Sequence, residues 1–179
     1  TFQNVATAPV LSINRGFSAP VIVNTNRSQA DLAFLSAHDD DPFARYEAMQ
    51  QLMVNVLVGQ IGGQPVDETT VVDAVRQTLI DPALDSAFVA EAVRLPSEAY
   101  LGDQMPIVDP DAIHNARNAL QHRIGAELQP LWRDMHARLR ANSFSLSPAA
   151  KGARKLRNAA LHYLVASGAA DGPLTAFEQ

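Results

Sequence analysis

Histidines stand at positions 38, 114, 122, 136 and 162, and imidazole is both the commonest metal ligand and the side chain that titrates near neutrality. None belongs to a His-Glu-x-x-His pattern, which sets two imidazoles one helical turn apart with a glutamate beside them to activate water. His114, His122 and His136 fall within a sector about 80° wide at roughly 100° per helical residue. At about 1.5 Å of rise per residue, neighbouring members are roughly 12 and 21 Å apart, whereas zinc ligands sit about 2 Å from one ion. Surface or interhelix hydrogen bonding is the plainer role for these three.

The acidic cluster Asp39-Asp40-Asp41 lacks the spaced oxygen ligands, glycine turn and bidentate glutamate of a calcium loop, and Asp41 before Pro42 reads as a helix cap. No glycine-rich run fits a phosphate loop and no serine sits in a Gly-x-Ser-x-Gly elbow; Gly62-Gly63 reads as a helix stop. Without any cysteine there is no thiolate zinc site, disulfide or thiol nucleophile. Tyr46, Tyr100, Trp132 and Tyr163 read as packing residues rather than a ligand cage, since helical register puts at least Tyr46 and Trp132 near apolar stripes. No residue is therefore assigned a catalytic, cofactor-binding or metal-ligating role.

The elements that would position any site are mostly helical. Residues 1–27 stand apart: Val10, Ile13 and then Val21, Ile22 and Val23 after Pro20 predict one or two short strands, marginal unless they lean on a neighbouring layer. From Ser28 onward, Asp-Pro or Ser-Pro pairs at 41–42, 81–82, 109–110 and 147–148 predict helix starts, because the side-chain oxygen accepts from free N–H groups while proline needs no partner at the first position. Apolar spacing predicts helices over 28–37, with Asp31 completing a capping box and Leu32 and Leu35 inward, and over 41–61, where Phe43, Tyr46, Met49, Leu52, Met53, Val56 and Leu57 make a broad buried arc. Further helices follow over 68–80 and 84–94, with a brief helical restart after Ser97.

A long stripe from Ile113 through Ala116, Leu120, Ile124, Leu128, Leu131 and Met135 to Leu139 predicts a helix that Pro130 kinks or divides near Gln129. The last helix follows Ser147, with Ala153, Leu156, Ala160, Leu161 and Leu164 inward and Gly168 near its end. The fold class is thus mainly α: antiparallel helices joined by short loops, as a bundle or as a solenoid of stacked helix pairs. No fixed-period repeat is visible in the sequence.

Composition excludes several function classes. Hydrophobic residues at 47% and charged residues at 18% suit a folded globular chain. Nineteen acidic against fourteen basic residues, with no cationic stripe, argue against nucleic acid as a partner. Lys151, Arg154, Lys155 and Arg157 are the densest basic run and read as a solvated helix face. No apolar run is long enough to span a bilayer.

Four segments carry a resemblance. Ser12-Ile13-Asn14-Arg15-Gly16-Phe17-Ser18-Ala19-Pro20-Val21 is similar to the closing sandwich strands, and Asp40-Asp41-Pro42-Phe43-Ala44-Arg45-Tyr46-Glu47-Ala48-Met49-Gln50 to a helix start, of the bacterial aminopeptidase N family of gluzincin zinc aminopeptidases. Leu95-Pro96-Ser97-Glu98-Ala99-Tyr100-Leu101-Gly102-Asp103-Gln104, leading on to Asp109-Pro110, and Leu156-Arg157-Asn158-Ala159-Ala160-Leu161 follow in the family's order and spacing.

The resemblance implies a cytoplasmic, four-domain parent enzyme that removes N-terminal residues from peptides with a bound zinc. Residues 1–27 would be terminal strands of an immunoglobulin-like sandwich whose other strands precede Thr1. Residues 28–179 would be the first part of a helical domain that caps the active-site chamber and continues past Gln179. The family's zinc helix, distal glutamate ligand and amine-binding Gly-x-Met-Glu-Asn motif match no positions here, so the zinc belongs to the parent and this chain carries no cofactor. The implied partners are the remaining parent domains and its peptide substrates. From another class, a helical-repeat module that holds a protein or peptide on a concave face fits the same helices.

Overall fold

The computed structural model describes residues 6–169 apart from 22, 24 and 142. Among the described residues there are eight α-helices, one 3-10 turn at Arg15–Phe17 and no strand: α1 Gln29–His38, α2 Pro42–Ile61, α3 Glu68–Ile80, α4 Ser86–Ala92, α5 Glu98–Asp103, α6 Pro110–Glu127, α7 Gln129–Arg138 and α8 Pro148–Ala166.

Short polar side chains start these helices. Ser28 and Asp31 form the full capping box of α1, and Asp41, Asp109 and Ser147 cap α2, α6 and α8 ahead of a proline, as the sequence predicts. Asp81-Pro82 departs from that reading. Asp81 closes α3, accepts from Ala83 N at 2.9 Å and is held by Arg45 at 2.8 Å, so its carboxylate is unavailable to a helix start. The chain turns instead, and α4 begins later on Asp85, which accepts from the N–H groups of Ala87 and Phe88. Leu128 separates α6 from α7 two residues before Pro130, the division the proline predicts.

The predicted strands of residues 1–27 do not form among the described residues; Ile22 lies outside them. Asn14, Gly16 and Phe17 all take positive φ, which turns the chain where an extended strand would continue. No sheet edge among the described residues offers the ladder bonds a strand needs. The segment leans on the helical layer instead: the Phe17 ring lies 4.9 Å from Phe43, and Arg15 grips the loop between α1 and α2.

The core runs through the whole helical body. α1, α3 and α6 pack on α2, while α8 packs on α4, α6 and α7. Leu32, Leu52, Met53, Val75, Leu120, Ile124 and Trp132 are fully buried within one apolar cluster. Trp132 stacks on Tyr163 at 4.5 Å, and their polar ends reach Ile124 O and Val93 O. The inner face of α8 differs in detail from the expected stripe: Gly152 and Tyr163 are buried, while Ala153 and Leu161 are only partly covered. The shift follows from close helix contact. A Cβ on Gly125 of α6 would lie 2.4 Å from Tyr163 O of α8, and one on Gly152 would lie 2.9 Å from Ala87 N of α4, so the two glycines set how near α8 can come.

Candidate functional site

The outer face of α2 presents Tyr46, Glu47 and Gln50, two depressions run past it, and a third adjoins the second. The first lies between the N-terminal segment and α2, floored by Phe43 and Val54. It shares Glu47, Gln50 and Tyr100 with the second, about 460 Å³ in volume, whose far wall is the strap Arg94–Ser97 between α4 and α5. The third lies across that strap between α6 and α8, and shares Arg94, Leu95 and Arg117 with the second. Together they make one groove along the α2, α6 and α8 faces.

The strap is held by its backbone carbonyls. Gln50 Nε2 donates to Arg94 O at 3.0 Å, and Arg117 Nε donates to Pro96 O at 2.9 Å. Leu95 and Pro96 are buried beneath, so the exposed Arg94 side chain projects from a fixed backbone. Partial burial and the neighbouring Glu47 push the Tyr46 phenol above its usual range, against the pull of Arg94. His162 is shifted the other way: partial burial first, then Arg117 and Arg94, hold its imidazole below the ordinary value. The Gln121 amide and His162 Nε2 are hydrogen-bonded at 2.8 Å.

This arrangement can bind polar and charged groups, but it does not assemble a nucleophile, a base and an orienting partner within hydrogen-bond reach. Glu91 is engaged by Lys155, and Glu47 stands apart from His162 in the depression across the strap. Among the described residues no three His, Asp or Glu side chains gather around a common point. His38 lies against Phe34, His114 binds Glu98 and Asn118, His136 is near Arg157, and His162 pairs with Gln121. The described His, Asp and Glu side chains do not come together as a zinc site.

Several residues singled out in the sequence take other roles. Asp39, Asp40 and Asp41 receive the N-terminal segment: Arg15 reaches Asp39 at 3.0 Å and Asp40 at 2.5 Å, and Gly16 N donates to Asp41 at 2.9 Å. Of the basic run, Lys155 pairs with Glu91, Arg154 donates to Ser145 O and covers the Phe144 ring, and Arg157 donates to His136 O, so the run ties α8 to its neighbours rather than facing solvent alone. Trp132 and Tyr163 are packing residues, whereas Tyr46 and Tyr100 line the groove. Sequence reasoning did not find Arg94 or Arg117. Their only signal was the proline strap between two short helices, which periodicity treats as a gap.

The described residues form an all-helical domain with a polar groove. The chain belongs to the family described as a domain of unknown function (DUF3458_C) with ARM repeats, whose model matches residues 29–179. That model corresponds to the C-terminal domain of aminopeptidase N. Aminopeptidase N of Caulobacter vibrioides is 39% identical over 92% of this chain and 20% of its own length. Aminopeptidase N of Escherichia coli is 32% identical over 91% of this chain and 19% of its length. The chain thus spans about a fifth of the relatives it matches. The crystal structure of Legionella pneumophila aminopeptidase A in complex with aspartic acid superposes with a TM-score of 0.83 at 24% identity, over 95% of this chain and 21% of that one, a likeness of fold.

Proposed function

We propose that this chain is a non-catalytic helical segment of a zinc-dependent aminopeptidase that removes N-terminal residues from peptides, and that it helps enclose the active-site chamber. The observation that carries the reading is the 39% identity to aminopeptidase N along nearly the whole chain. A helical wall restricts access to slender peptides and keeps bulk water from the reacting groups, where a zinc-bound water is the attacking species. Residues 1–27 belong in this reading to the preceding sandwich domain and residues 28–179 to the helical domain, with the Arg15 grip as the joint between them. No helix among the described residues is long and apolar enough to cross a membrane, and the cytoplasmic location rests on the family resemblance.

The reading frame that encodes the chain tests this. Upstream of Thr1 it should encode His-Glu-x-x-His followed by a distal glutamate, and the complete polypeptide should hydrolyse an alanyl anilide in a chelator-sensitive way. A frame that begins near Thr1, or a complete polypeptide inert in that assay, would favour a helical-repeat binding module instead.

A further inference from the structure

The depression between the Arg94–Pro96 strap, α6 and α8 is lined by three cations, Arg94, Arg117 and Lys155, and by no carboxylate. Lys155 is paired with Glu91 on its outer side. The Arg94 side chain has no hydrogen-bond or ion-pair partner among the described residues, and Arg117 engages only its Nε, on Pro96 O. Two guanidinium forks therefore face one concavity with their terminal N–H groups unused. Arginine is suited to this, since its planar donors match the two oxygens of a carboxylate and cannot be switched off by deprotonation. Gln121, Asn158 and His162 add polar groups to the same lining, which also includes the buried Ala90, Leu95 and Tyr163. The second depression shares Arg94 and Arg117 and adds two carboxylates: Glu47, which has no partner among the described residues, and Glu91, which Lys155 holds.

We infer that this pocket binds a peptide carboxylate, with Arg94 and Arg117 donating to its oxygens. That the ligand is a peptide rests on the function proposed above; that it is an anion rests on the pocket alone.

The test titrates the full chain with N-acetyl tetra-alanine while the arginine Nε–H and His162 ring signals are followed by NMR. The same titration is made with its C-terminal amide, with an amidated peptide bearing one internal glutamate, and with inorganic phosphate. The free acid should shift the Arg94, Arg117 and His162 signals, and Arg94→Gln should weaken binding about tenfold, as loss of a charge-assisted hydrogen bond predicts, while Lys151→Gln on the outer face of α8 leaves it unchanged. Binding of the free acid but not of either amide assigns the ligand as a C-terminal carboxylate; equal binding of the amidated glutamate peptide assigns a side-chain carboxylate. Both outcomes support the pocket. No response to either carboxylate, binding of phosphate alone, or an unchanged affinity in Arg94→Gln would overturn it. An inactive complete polypeptide that still binds the free acid would sink the aminopeptidase reading and leave the anion pocket standing.

Discussion

Single residues decide how tightly the helices meet. Gly125 lies within α6, where glycine costs helix stability of about 1 kcal/mol against alanine. Its place is explained by the Tyr163 carbonyl, which a Cβ would approach to 2.4 Å, a backbone atom that cannot swing aside. Gly125→Ala should therefore destabilise the chain by about 1–3 kcal/mol despite the better propensity, as overpacking of a rigid contact does. A urea midpoint equal to or above that of the parent chain would show that α8 has room to move. Arg45 is the other residue of this kind. Buried to all but 9% of its surface, it donates from Nε to Ser36 O at 2.7 Å and from a terminal nitrogen to Asp81, joining the ends of α1 and α3. Neither role was visible as chemistry in the sequence, because a close backbone approach and a long-range ion pair are properties of packing, not of local spacing.

At the scale of elements, local signals were legible where they do not depend on distant chain. The capping box at Ser28, the proline starts at 42, 110 and 148, and the break before Pro130 rest on backbone donors within a few residues. Asp81-Pro82 misled because the same carboxylate that could cap a helix is held by Arg45, a partner 36 residues away. The strand reading of residues 1–27 followed alternating β-formers, but strands exist only as neighbours of other strands, and what orders this segment is largely electrostatic. The Gly16 and Ala44 N–H groups hold the Asp41 carboxyl below the usual range, and Arg15 does the same for Asp40. Carboxylates depressed in the folded state contribute stability that is complete above their ordinary value, 3.8, and is lost as pH falls through the depressed one. The grip should thus open in acid below that value while the apolar helical core persists. The Gly16 amide resonance should move in that range, and Asp41→Asn, which still caps α2, should remove the titration. A Gly16 signal that titrates identically in Asp41→Asn would contradict this description of the joint.

For the whole molecule, the helical class was legible from period and caps, while the choice between bundle and solenoid was not, because repeats here share helix packing rather than residues. The ARM-repeat family match supplies that distinction. The groove was hidden for a related reason: Tyr46, Arg94, Arg117 and His162 come from four separate places in the chain and meet only once α2, α6 and α8 are assembled. The role proposed for the molecule rests on its similarity to aminopeptidase N and on its spanning about a fifth of those relatives.

The most direct measurement is made on the purified 179-residue chain: metal content by elemental analysis together with turnover of an alanyl anilide, with and without a chelator. The account predicts no stoichiometric zinc and no hydrolysis, because the histidines are dispersed over the helices. One tightly held zinc per chain, or turnover that the chelator abolishes, would contradict it.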